Sequence, residues 1–126
     1  MPVIGSNGRL SKWLGEYGTM FYRSEEVGDF VIHAFEPPVT GPTGVSLRFT
    51  RCSSYGLVQA YIDGEKTGGP VDFYSAGLEP MGGIADLGVL DLSEGRHEIK
   101  LEVVGRNDRA NGCFIGVCDL VFTPVE

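Results

Sequence analysis

From residue 28 onward, polar and apolar positions alternate along the chain. In the stretch from His97 to Val103, the charged residues Glu98, Lys100 and Glu102 fall on one face. His97, Ile99, Leu101 and Val103 fall on the other, which is the pattern of a half-buried strand. Val45, Leu47 and Phe49 alternate with Ser46, Arg48 and Thr50, and Val58, Ala60 and Ile62 with Gln59, Tyr61 and Asp63. Two runs, around 30–35 and 114–122, are apolar on both faces and predict central strands covered on both sides. Strands are expected near 19–22, 28–36, 45–52, 56–63, 71–74, 84–91, 96–104 and 113–123. Turn signals separate them: Pro37-Pro38, Asp63-Gly64, Gly82-Gly83, Glu94-Gly95 and Asn111-Gly112. Residues 91–96 leave room for a single helical turn, and no longer window reads as a helix.

About eight short strands predict an all-β, antiparallel β-sandwich, most simply a jelly roll. The composition agrees. The 126 residues suit one domain, and 19 glycines with 7 prolines favour strands joined by tight turns. The reading sets residues 1–16 apart as an N-terminal segment before a single sandwich domain, 17–126. Trp13 and Tyr17 lie at that boundary, where they would fold the segment over a sheet or cover an edge strand.

A net charge of −7 argues against a nucleic-acid partner, since phosphate binding needs a basic face. No run is long and apolar enough to span a membrane, and no signal peptide is visible. The odd count of cysteines, Cys52, Cys113 and Cys118, argues against a disulfide framework. Cys113 and Cys118 would point to opposite faces of one strand, and their spacing fits no zinc pattern. Thiols that behave as small apolar residues favour a reducing, cytoplasmic compartment.

Strand direction sorts the connections. In an antiparallel sandwich they alternate between two ends. One end should collect residues 23–27, 53–55, 75–83 and 106–112, and the other 37–44, 63–70 and 91–95. The first set is richer in Arg, Asn, Asp and Tyr, the residue types that carry binding on a rigid scaffold. The candidate ligand residues are Tyr55, Tyr74, Asp72, Arg106, Asn107, Asp108, Arg109 and Asn111. Tyrosine rings would stack on sugar faces while the polar groups fix orientation. Tyr55 is expected to offer a ring face to solvent at this end; the competing expectation makes it a corner plug. Asp72 follows the Gly68-Gly69-Pro70 elbow, where a carboxylate ordinarily caps backbone N–H groups at a corner between sheets. His33 and His97 fall on apolar faces and read as packed, hydrogen-bonded side chains.

Three stretches carry a resemblance: SSYGLVQAYIDGEKTGGPVDFYS, LGVLDLSEGRHEIKLEVVGRN and GCFIGVCDLVFTP. Over residues 28–124 the chain resembles the galactose-binding-like jelly-roll modules of bacterial carbohydrate-active proteins. It is most similar to the sandwich domains of a furanoside-acting glycoside-hydrolase family, formerly of unknown function. The resemblance implies a non-catalytic carbohydrate-binding module, accessory to or derived from a carbohydrate-active enzyme, with a carbohydrate ligand and a linked catalytic domain as partners. A structural module that self-associates through its sheets is the alternative. A small glycoside hydrolase using Asp72 or Glu79 is the third reading. No catalytic motif is present, so no catalytic residue is assigned. Related sandwiches often hold a structural Ca²⁺. No Asp-rich loop of the calcium type occurs here, and no cofactor or metal ligand is assigned.

Overall fold

The computed structural model describes residues 3–6, 11–14, 20–24 and 26–125, and no side chain at Val3, Ile4, Ser11–Leu14, Pro80 or Met81. Ten strands are found among them: β1 (Val3–Ser6), β2 (Ser11–Leu14), β3 (Met20–Arg23), β4 (Phe30–Phe35), β5 (Gly41–Arg51), β6 (Leu57–Ile62), β7 (Glu65–Asp72), β8 (Glu79–Leu92), β9 (His97–Gly105) and β10 (Ile115–Pro124). They form two five-stranded sheets, in the orders β1-β4-β9-β6-β7 and β2-β3-β10-β5-β8. Every pairing between strands is antiparallel. The molecule is the predicted antiparallel β-sandwich, and no helix long and apolar enough to cross a membrane occurs among the described residues.

The two doubly apolar runs take interior places, β4 second in its sheet and β10 at the centre of the other. β1 adds a strand outside β4 and β2 one outside β3, so the sheets reach into the segment that the sequence sets apart at 1–16. Tyr17 and the side chain of Trp13 lie outside the described residues. The core is the inward row of each alternation. Val45, Leu47 and Phe49 of one sheet face Ile99, Leu101 and Val103 of the other, all nearly or fully buried. Between the sheets, Tyr22 Oη and His33 Nε2 lie 2.6 Å apart with both residues buried. Burial pushes the Tyr22 phenol well above its ordinary pKa.

The stretch around the glycine-proline elbow departs from expectation. A strand was predicted only at 71–74, with a sheet-to-sheet corner before it. Instead β7 starts directly after the Asp63-Gly64 turn and stays beside β6. Both turn residues have positive φ, 51° and 83°, as the type I′ turn of a two-residue hairpin needs. Val71 pairs with Val58 and Thr67 with Ala60, so Gly68, Gly69 and Pro70 stand opposite Gln59 alone, a bulge. β7 is an edge strand, where a proline without an N–H is tolerated. The Gln59 amide, expected on a polar face, is buried. Its Nε2 donates to the Gly68 and Ala60 carbonyls at 3.0 and 2.9 Å. The crossing to the second sheet comes later, where Cys52 N–H donates to the Phe73 carbonyl and Ser75 N–H to that of Cys52. Residues 93–96 form a bend between β8 and β9, not a helical turn.

Candidate functional site

The loops converge at the two ends as strand direction requires, although 41–44, 65–70 and 79–83, expected in connections, lie within β5, β7 and β8, and Gly82-Gly83 is strand and not turn. At the first end the Asn111 N–H donates to Ser53 O (3.0 Å) and the Phe114 N–H to Ser54 O (2.9 Å). These bonds tie the loop after β9 to the loop after β5. The Gly28 N–H donates to Val103 O at 2.9 Å, which brings the β3–β4 connection to the same place.

Asp72 ends β7 and is half-buried. Its Oδ1 accepts the Tyr74 N–H at 2.9 Å, the expected turn cap. Its Oδ2 accepts Asn107 Nδ2, also at 2.9 Å. Asn107 Oδ1 in turn accepts the Arg109 N–H at 2.9 Å, and the Ala110 N–H donates to Asn107 O. Both functional atoms of Asp72 and both of Asn107 are therefore engaged within the protein. The pair is a strut between the end of β7 and the loop 106–111. Arg106, Asp108, Arg109 and Asn111 stand exposed around it, and Tyr74 is half-buried.

Tyr55 does not offer a ring face to solvent: it is 5% exposed. Its ring edge meets Phe21, centroid to centroid 6.3 Å, and a tilted contact joins it to Phe114 at 6.4 Å. A Cβ placed on Gly116 would come within 2.7 Å of this ring, so the glycine is what lets the ring lie against β10. Burial raises the Tyr55 phenol well above its ordinary pKa. The corner-plug expectation is the correct one. The phenylalanines that close around the ring, Phe21 on β3 and Phe114 just before β10, are distant in sequence, and one sequence gives no sign of that enclosure.

Arg51 was not singled out in the sequence. Its Nη2 donates to Tyr74 O at 2.9 Å and its Nη1 faces Glu79 at 3.9 Å. Its place at the C-terminus of β5, just before the 53–55 loop, was the available signal. Arg23 lies over the Phe114 ring at 5.9 Å. A cavity of about 260 Å³ opens between Glu26, Val27, Gly105, Arg106 and Cys113.

The second end is built around His97, which is buried. Nδ1 lies 2.6 Å from Asp63 Oδ2 and Nε2 lies 2.8 Å from Ser93 O, while the ring stacks on Phe35. The Asp63 carboxylate, and after it the Ser93 carbonyl, raise the pKa of this histidine. Both histidines are packed and hydrogen-bonded, as expected. Larger hollows lie at this end: about 340 Å³ beside Phe35, Glu36 and Arg96, and about 420 Å³ walled by Asp63, Glu65 and Asp91 among others. Among the described residues no group of three His, Cys, Asp or Glu side chains comes together to hold a metal ion.

No protein-family profile matches the chain. No curated protein matches its sequence. Solved structures match its fold. A Paenibacillus xanthan lyase superposes with a TM-score of 0.86 at 17% identity, over 99% of this chain and 12% of the lyase. A carbohydrate-binding module of family 36, in complex with calcium and xylotriose, gives 0.57 at 17% identity, over 98% of this chain and 93% of the module. A family 35 carbohydrate-binding module from an environmental isolate gives 0.59 at 17%, over 97% and 86%. The chain thus spans about an eighth of the lyase and nearly the whole of each isolated module. At these identities the likeness is one of fold, and the fold is the jelly-roll β-sandwich of carbohydrate-binding modules.

Proposed function

We propose that the chain is a non-catalytic carbohydrate-binding module whose ligand sits on the first-end loops. The observation that supports this most is the Asp72–Asn107 strut. It fixes the loop 106–111 beside the end of β7 and leaves exposed guanidinium, amide and carboxylate groups around a preorganised rim. Orienting such groups before the ligand arrives lowers the entropic cost of binding. Tyr74, Arg106, Asp108, Arg109 and Asn111 form the contact set, with Asp72 and Asn107 holding them and Tyr55 packed beneath. The hollows at the second end are larger. The greater of them is walled by carboxylates, and the turns there are held by His97 for structural reasons.

Several fold neighbours are carbohydrate-binding modules, one of them solved with xylotriose, and another is a xanthan lyase of which the matched region is about an eighth. By the same reasoning the chain works beside a catalytic domain. Its likeness to modules of furanoside-acting hydrolases adds furanoside polymers to the ligands to be tried. The family 36 structure holds calcium, but the residues described here offer no cluster fitted to it, and the proposal assigns no metal. Asp72, with both oxygens taken as acceptors, serves as a strut and not as a catalytic acid.

Affinity electrophoresis and calorimetry against xylan, mannan, laminarin, arabinan, inulin and acidic polymers test the reading. Binding at micromolar to millimolar ligand, reduced by substitutions at Arg106 or Asn111 but not at Glu36 or Arg96, is the expected result. Loss of binding on substituting the second-end residues would move the site there. A second reading, self-association, rests on Ile84 and Val89, which stand 66% and 62% exposed on the edge strand β8. Light scattering at high concentration tests it.

A further inference from the structure

We infer that the saccharide recognised at the first end is anionic, a polymer bearing carboxylates, and that Arg106 and Arg109 are the residues that select it. The inference rests on the proposed carbohydrate-binding reading and goes beyond it in naming the ligand's charge. Among the described residues Arg48, Arg51, Arg96 and Lys100 each meet a carboxylate. Arg106 and Arg109 meet none, although the chain has seven more acids than bases, a net charge of −7. Two uncommitted guanidiniums thus stand three positions apart in one loop, on the rim where Arg23 and Arg51 also lie.

The loop is also rigid where it matters. Asn107, between the two arginines, is tied at Nδ2 to Asp72 and at Oδ1 to the Arg109 N–H. Arg106 lines the 260 Å³ cavity at this end. The acids of this end are largely occupied. Asp72 is held by Tyr74 N–H and Asn107, buried Asp29 accepts the Glu26 N–H, and Glu79 faces Arg51. Asp108 shares the loop and Glu26 the cavity, so 106–111 carries two positive charges against one negative. A guanidinium fork matches a carboxylate in bidentate geometry, and such charge-assisted bonds are the stronger kind. The hydroxyls of a neutral glycan can accept from a guanidinium but carry no charge to match it.

The test is titration of the full chain with polygalacturonate, alginate and polyglucuronate beside the carboxyl-reduced form of each polymer, with dextran sulfate and neutral xylan as references. The expected result is binding to at least one polyuronate that falls tenfold or more on carboxyl reduction. It should fall similarly in Arg106→Gln and Arg109→Gln, which are exposed and should melt like the parent, and weaken with added salt. Equal affinity for a polyuronate and its reduced form, or binding to xylan alone, overturns the inference while the carbohydrate-binding reading stands. Dextran sulfate bound as tightly as any polyuronate shows ion exchange and overturns the carboxylate assignment. No binding to any of these polymers overturns the inference, and the carbohydrate-binding reading then rests on mannan, laminarin, arabinan and inulin, whose failure as well removes it.

Discussion

Asn107 Nδ2 donates to Asp72 Oδ2 across 2.9 Å, joining residues 35 apart in sequence at the rim of the sandwich. The bond links the end of β7 to the loop after β9, and the loop's own turn depends on the other atom of the same amide. Asp72→Ala removes two hydrogen bonds at a half-buried position. It should lower stability by about 1–2 kcal/mol. It should also raise hydrogen exchange at residues 106–111 more than elsewhere. Sugar binding should weaken with it although Asp72 is not in the contact set. Asn107→Ala should reproduce the exchange pattern; unchanged exchange in both variants would show that the loop is held by its backbone alone.

His97 gives the fold a pH dependence of defined sign. Both ring nitrogens face acceptors, the Asp63 carboxylate and the Ser93 carbonyl, so the doubly protonated ring alone satisfies both. The folded-state pKa is raised above its ordinary 6.5. A raised pKa means that the folded state holds the proton more tightly than the unfolded one. The stabilisation is then complete below about pH 6.5 and is lost as pH rises through the folded-state value. Melts from pH 5.5 to 9 should show this decline, and His97→Gln should flatten it. A histidine titrating at or below 6.5 by NMR would contradict the argument.

Strand direction placed the loops correctly because it follows from topology, and the alternation from His97 to Val103 needed only a period of two. The elbow at Gly68-Gly69-Pro70 was misjudged for a physical reason. Glycine and proline signal a departure from the ladder, but a bulge on an edge strand and a corner between sheets ask the same of the chain locally. Only the register against Val58 and Ala60 distinguishes them. Gln59 could not be read as buried, because what covers it is that bulge. Tyr55 was ambiguous in the same way, since its environment comes from Phe21, Phe114 and Gly116, all distant in sequence.

Tyr55→Ala should act on stability. A buried ring exchanged for a methyl group leaves a cavity, and the loss should be about 2–4 kcal/mol, with a melting temperature lower by several degrees. Gly116→Ala approaches the same site from the other side. Its Cβ would lie 2.7 Å from the Tyr55 ring and 2.8 Å from Thr50 Cβ, so a loss of about 1–3 kcal/mol is expected. The two substitutions together should cost less than their sum, because removing the ring vacates part of the space that the new methyl group needs.

Tyr22→Phe probes the polar contact between the sheets. Tyr22 and His33 are both buried, and the phenol, held protonated by burial, is positioned to donate to Nε2 at 2.6 Å. Removing the hydroxyl preserves the ring's volume but takes a partner from a buried nitrogen, at a cost of about 1–3 kcal/mol. Urea unfolding with an unchanged m-value would assign that loss to the native contact. Parent-like stability would mean that His33 finds another partner within the core.

Gly83 sets a steric limit on the edge strand β8. It pairs with Phe49, and a Cβ there would fall 2.2 Å from the Phe49 ring. That ring cannot retreat easily, because it stacks on Phe73 with centroids 4.1 Å apart and planes 13° from parallel. Phe73 in turn sits one residue from Asp72, so a shift at this stack would reach the rim. Gly83→Ala should therefore cost about 1–3 kcal/mol. Phe49→Leu alone should also destabilise, by losing the stack and leaving a void. The double variant should be more stable than the sum of the two losses implies, since leucine frees the space above residue 83. Strict additivity in a denaturation cycle would show that β8 moves aside on its own, as an edge strand can, and that the glycine is not required by the ring.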